Sequence, residues 1–147
     1  MKEAPKGWPR ISSCLFYNDA AKAIDWLCDV FGFEVRLKVE GEGGRIEHSE
    51  LVYGDGLIMV GSAGGHSDRK RPLPCGSPQS VGGINTQALL IQVENVDEHC
   101  ARARAKGATI VEEPTTHDYG DDYWADRVYQ AQDLEGHVFW FSHRVRG

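Results

Sequence analysis

A series of strand, cap, helix, glycine stop and strand occurs twice in this 147-residue chain, and it limits the available folds more than any other feature. In its first occurrence, Ile11 to Tyr17 (ISSCLFY) is rich in β-branched and aromatic residues and reads as a strand. Asn18 and Asp19 are good caps for AAKAIDWLCDVFG, where Ala20, Ala23, Ile24, Leu27 and Phe31 recur at helical spacing. Gly32 supplies the left-handed stop. Three strand-like runs follow, Phe33–Glu40, Arg45–Tyr53 and Leu57–Val60, separated by the turns GEGG and GDG. After a Gly-, Ser- and Pro-rich connection the order repeats. ALLIQV is a strand, Glu94 and Asn95 cap VDEHCARARAKG, and Gly107 ends that helix. ATIVEEP, a run around Trp124–Gln132 and His137–Phe141 supply three more strands. The halves overlay without a gap, Asp19 on Glu94, Gly32 on Gly107 and Val35 on Ile110. Identity between them is low, so the repeat is one of pattern.

The expected fold class is α+β: a single domain over residues 1–147 made of two βαβββ modules, at about 10–62 and 88–143, joined by a linker at about 63–87. Each helix covers one face of its own small sheet and leaves the other face needing a partner. The expectation is an open-barrel arrangement with a ligand cleft between the modules.

Charge and composition narrow the partners. A formal net charge of −6 argues against a nucleic-acid or anionic-membrane surface, which needs clustered Lys and Arg. The one basic cluster, Asp68-Arg69-Lys70-Arg71, reads as a solvated loop. No apolar run reaches the roughly 18–20 residues of a membrane span, and MKEAPKGWPR has no apolar core of a signal peptide. Cys14, Cys28, Cys75 and Cys100 are scattered without a C-x-x-C pair, which suits a reducing cytoplasm with thiols as small apolar fillers. A cytoplasmic protein is expected. Met1 to Trp8 carries too little pattern to interpret.

The chain resembles the vicinal oxygen chelate superfamily, which includes glyoxalase I, bleomycin-resistance proteins and extradiol dioxygenases. The residues that carry the resemblance are LFYNDAAKAIDWLCDVFGFE, IEHSELVYGDGLIMVGS, SVGGINTQ, VENVDEHCARARAKGATIVEEP and ADRVYQAQDLEGHVFWF. The D-x-E-G-H stretch at Asp133–His137 looks like the family's D-P-x-G-[HY] turn, with Leu134 in place of proline. Gly82-Gly83 resembles the inter-module glycine turn. The resemblance also implies a homodimer.

In the metal-dependent members, one ligand comes from the first strand and one from the last strand of each half. Carried over, these positions fall on Ser12 or Ser13, within Leu57–Val60, on Gln87 or Ala88, and on Trp140 with Phe139 and Phe141 beside it. At most one of the four offers a plausible ligand, so no divalent metal or other cofactor is expected.

Other candidates come from the residues themselves. His48 and Glu50 lie two apart on one strand and share a face. They suit an acid–base pair or an alternative metal site, and equally a polar rim paired with Arg45 or Arg36. His137, Phe139 and Phe141 alternate with Val138 and Trp140. If Trp140 faces the cleft, His137 serves to tie the Gly136 turn. HDYGDDYWADRVY offers an acidic, aromatic lip for a flat or cationic compound. Its plainer reading is a packing loop with a structural Asp126–Arg127 pair. The expected ligand-binding set is Ser12, Cys14, Phe16, Met59, Trp124, Arg127, Tyr129 and Trp140, and the weak catalytic candidates are His48, Glu50 and Tyr129. The leading expectation is a small-organic-molecule binder that sequesters an aromatic or antibiotic-like compound without a metal. The alternative is an enzyme, a glyoxalase-like lyase or isomerase or a dioxygenase-related activity at a non-standard site.

Overall fold

The computed structural model describes residues 1–64 and 72–147, so the basic cluster at 68–71 lies outside the described residues. The chain forms two compact units, Met1–Val81 and Gly82–Gly147. The first contains β1 (Ser13–Tyr17), α1 (Ala20–Trp26), β2 (Glu34–Glu40), β3 (Ile46–Tyr53) and β4 (Gly56–Ser62). The second contains β5 (Leu89–Gln92), α2 (Val96–Ala105), β6 (Thr109–Asp118), β7 (Ala125–Gln132) and β8 (Val138–Arg146). Their sheets run β1-β4-β3-β2 and β5-β8-β7-β6. In each, the first strand lies parallel to the last and the other neighbours are antiparallel. The expected βαβββ repeat is therefore present in both halves.

The apolar stripe of the first helix behaves as its spacing requires: Ala20, Ala23, Ile24, Leu27 and Phe31 are at most 2% exposed. One detail departs from the gapless overlay. Asp19 caps α1 by accepting from the Lys22 amide, but in the second unit Asn95, not Glu94, accepts from the Glu98 amide. The stretch from cap to glycine stop is thus one residue longer in the first unit. That residue is taken up in a π turn at Leu27–Phe31, the usual form of a single insertion into a helix. Both stops, Gly32 and Gly107, have positive φ, which side chains disfavour.

Strand ends also differ from the sequence reading. β6 continues past Pro114 to Asp118, because it is an edge strand and its ladder slips between Glu112 and Thr115, where proline's missing N–H costs nothing. The connection contains a short 3₁₀ turn at Pro78–Val81 and then the positive-φ pair Gly82 and Gly83. Only Cys100 is a buried filler; Cys28 and Cys75 are half-buried and Cys14 is exposed. No helix among the described residues is long and apolar enough to cross a membrane.

The turn before β8 is tied chiefly by Asp133. Its Oδ1 accepts from the Glu135 and His137 amides, and its carbonyl accepts from the Gly136 amide. Asn85 completes it, donating Nδ2–H to the Gly136 carbonyl at 2.8 Å and accepting from the Val138 amide at 3.1 Å. Substituting Asn85→Ala strips both backbone groups of their partner. The expected cost is about 1–3 kcal/mol, read as a lower urea midpoint with unchanged slope.

Candidate functional site

Alternation along each strand sorts the candidate residues by face. In the first unit α1 packs on the sheet. Leu15 and Val60, neighbours in the ladder, are buried, as are Leu51 and Ile58. The next positions project from the opposite face. There Cys14 pairs with Met59, Met59 with Glu50, and Glu50 with Leu37, so four side chains line up across β1, β4, β3 and β2. One row along, Phe16 pairs with Gly61 and His48 pairs with Val39. Cys14, Phe16 and Met59 thus share one face, as their assignment to a ligand site requires. Ser12 lies just ahead of β1, and its hydroxyl is shut off from solvent with no hydrogen-bond partner among the described residues.

The polar centre of this face is Glu50, only 7% exposed. Its Oε1 accepts from Arg36 Nε at 2.9 Å, with Arg36 Nη2 also 2.9 Å away, and its Oε2 lies 2.8 Å from His48 Nε2. Arg36 reaches Glu50 because the pairing of Val35 with Leu51 carries on to set it opposite Glu50, and the slip between Val35 and Leu37 brings Leu37 opposite Glu50 as well. The hydrogen bond from His48, followed by those and the charge of Arg36, holds the Glu50 carboxyl below its ordinary range, against the opposing effect of burial. An ionised carboxylate only accepts, so His48 Nε2 is the donor and Nδ1 keeps its lone pair in the neutral ring. Arg36 is held from its far side by the Gly7 carbonyl and lies over the Trp8 ring at 4.9 Å. The N-terminal segment therefore takes part in the site, although its sequence shows no periodicity that marks it. Of the two cationic partners open at sequence level, Arg36 is the one used; Arg45 approaches Glu47 instead.

In the second unit the same reasoning moves two candidates. Tyr129 is 0% exposed; its hydroxyl meets His99 Nδ1 of α2 at 2.6 Å and its ring stacks on Phe141 at 5.0 Å. Arg127, two residues away on the same face, makes a two-pronged ion pair with Asp97 of α2 at 2.7 and 2.8 Å. Both lie on the helix-covered face and are engaged by α2, Arg127 through Asp97 and Tyr129 through His99. Nor do Asp126 and Arg127 pair with each other: Asp126 binds Arg144 at 2.6 Å across the β7–β8 ladder. Trp124 sits just before β7 with Arg144 over its ring at 5.1 Å and Tyr119 and Tyr123 beside it. Trp140 lies on the face away from α2, paired with Leu90, which is 63% exposed, and with Gln130. Its neighbours Phe139 and Phe141 are fully buried on the helix side.

The ladder also shows which side chains the outer-strand pairs present. The first- and last-strand pairs on these faces are Cys14 with Met59 and Leu90 with Trp140. They offer a thiol, a thioether, an alkyl chain and an indole, whereas hard divalent ions take imidazole and oxygen ligands. Among the described residues no group of three His, Cys, Asp or Glu is placed to hold an ion.

Comparison with known proteins agrees with this architecture. TioX from Micromonospora sp. ML1 is 31% identical, over 94% of this chain and all of that one, with a TM-score of 0.69. TnmS3, an antibiotic binding protein from Streptomyces sp. CB03234, shares the fold at 18% identity, over 90% of this chain and 93% of that one, with a TM-score of 0.64. An uncharacterised protein of Mycobacterium tuberculosis is 29% identical over 142 residues, 94% of this chain and 76% of the relative. The sequence profile of one superfamily matches residues 10–141. With its two βαβββ units and that match over nearly its whole length, the chain belongs to the Glyoxalase/Bleomycin resistance protein/Dioxygenase superfamily.

Proposed function

We propose that this protein binds a small aromatic or antibiotic-like molecule without a metal and without making or breaking bonds in it. The observation that carries the reading is the sheet face bearing Cys14, Phe16 and Met59 around the Glu50 cluster. An apolar floor with one fixed polar group is the usual composition of a small-molecule site. Glu50 supports binding more than acid–base work, because both its oxygens are engaged and its carboxyl is held ionised. The second sheet, taken by itself, has flat apolar surface in Trp140 and Leu90 on its face away from α2. The likeness to an antibiotic binding protein is in keeping with this class of ligand.

The test is a thermal-shift and equilibrium-binding screen of aromatic antibiotics and glutathione adducts in EDTA, with the ligand analysed afterwards by mass spectrometry. A true ligand at one hundred times its Kd adds about 2.7 kcal/mol, or roughly 5–10 °C in Tm. Recovery of the compound unchanged supports sequestration; turnover favours the lyase or isomerase alternative, and binding abolished by EDTA overturns the metal-free reading. A cytoplasmic homodimer belongs to the same proposal, and light scattering checks its mass.

A further inference from the structure

Two features of the first unit's ligand-bearing face are not used by the fold. The first is a ring nitrogen with no protein partner among the described residues. His48 donates through Nε2 to Glu50, and no other bond or ion pair of its ring is present among the described residues. In the neutral ring Nδ1 is therefore an acceptor, on a side chain 36% exposed and oriented by a carboxylate that Arg36 fixes in turn. The second is a dip in the floor. Gly61 pairs with Phe16 in the ladder, and a Cβ added at Gly61 meets nothing within 4 Å except the Ile46 carbonyl at 3.8 Å. Its φ lies outside the range that demands glycine, so neither backbone geometry nor crowding accounts for the missing side chain. The strand order places β4 between Phe16 on β1 and His48 on β3.

From these two features we infer that the hollow over Gly61 takes the ring of a neutral aromatic ligand, and that His48 Nδ1 accepts a hydrogen bond from a phenol O–H or ring N–H on it. This rests on the small-molecule reading above and names its ligand class. Charge favours a neutral ligand: the carboxylate of Glu50 is already matched by Arg36, so with a neutral His48 ring the cluster presents an acceptor without net charge. Phe16 and Met59 offer a π face and a polarisable thioether to the ring.

The probes are 2-naphthol and 2-methoxynaphthalene, which share a ring system and differ in the O–H. Each is titrated by NMR into the full-length protein, with long-range proton–nitrogen spectra recording the His48 ring nitrogens. One neutral hydrogen bond is worth about a three- to ten-fold preference for 2-naphthol. The His48 Nδ1 resonance is expected to shift with 2-naphthol and to stay in place with the methyl ether. His48→Phe is expected to erase the preference while retaining 2-methoxynaphthalene. Gly61→Val is expected to weaken both compounds at least ten-fold with the fold intact by circular dichroism. Equal affinity of the two compounds for the wild-type protein, or a preference that survives in His48→Phe, overturns the inference and leaves the proposed function standing. Failure of both compounds to bind overturns the inference, while the proposed function is judged separately by the antibiotic screen.

Discussion

Replacing Phe141 with alanine will destabilise the protein by about 3–5 kcal/mol, the range for removing a large ring from a packed core. Phe141 is 0% exposed and packs against the rings of His99 at 4.3 Å, Tyr129 at 5.0 Å and Phe139 at 6.2 Å between centroids. Its removal leaves a void under α2 that rigid neighbours on β7 and β8 fill poorly. The informative control is the adjacent residue. Trp140 carries a larger ring but is half-buried on the opposite face, so Trp140→Ala will cost less than about 1.5 kcal/mol. On the proposed function it will instead weaken ligand binding about ten-fold or more. Chemical denaturation of the two variants beside the wild type reads the first effect, and titration of a ligand identified by the screen reads the second. Equal loss of stability from both substitutions contradicts the face assignment.

The second large effect belongs to Glu50. Glu50→Ala removes the acceptor shared by Arg36 and His48 and is expected to cost about 2–3 kcal/mol, or roughly 5–10 °C in Tm. This is less than for a fully buried ion pair because the Arg36 side chain is 31% exposed and water reaches it. The dependence on pH follows from the direction of the carboxyl shift. The folded-state value lies below the unfolded one of about 4.5, so the folded protein binds its proton less readily. The contribution is complete above about pH 4.5 and is lost as pH falls through the folded value. Stability curves of the wild type and Glu50→Gln are therefore expected to lie apart at pH 7 and to converge in acid. A gap that stays constant from pH 7 to pH 3 would show that the ionised carboxylate adds nothing.

Much of the scaffold is readable in the chain because its signals are local. Helical spacing from Ala20 to Phe31, the cap at Asp19 and the stops at Gly32 and Gly107 each act within a few residues of themselves. The one-residue offset between the halves is not readable in that way. Glu94 and Asn95 are adjacent candidates, and the choice falls to whichever side chain reaches a free helix amide. Trp8 illustrates a different limit. It has no periodicity to report, and its role comes from meeting Arg36, which is far away in sequence.

Alternation told from sequence alone that His48 shares a face with Glu50, and that Trp140 opposes Phe139 and Phe141. Period-two geometry is a property of the extended backbone and needs no other information. Which face each helix covers was decided only in the folded chain. β7 reads ADRVYQAQ, with polar and apolar side chains on both of its faces, so hydrophobic pattern does not orient it. Asp97 on α2 draws Arg127, and His99 draws Tyr129, to the covered side. The β2–β3 pairing likewise sets Arg36 beside Glu50, 14 residues away along the chain. These choices depend on pairings between residues distant along the chain, and such pairings acquire their energy only when tertiary packing brings both partners together.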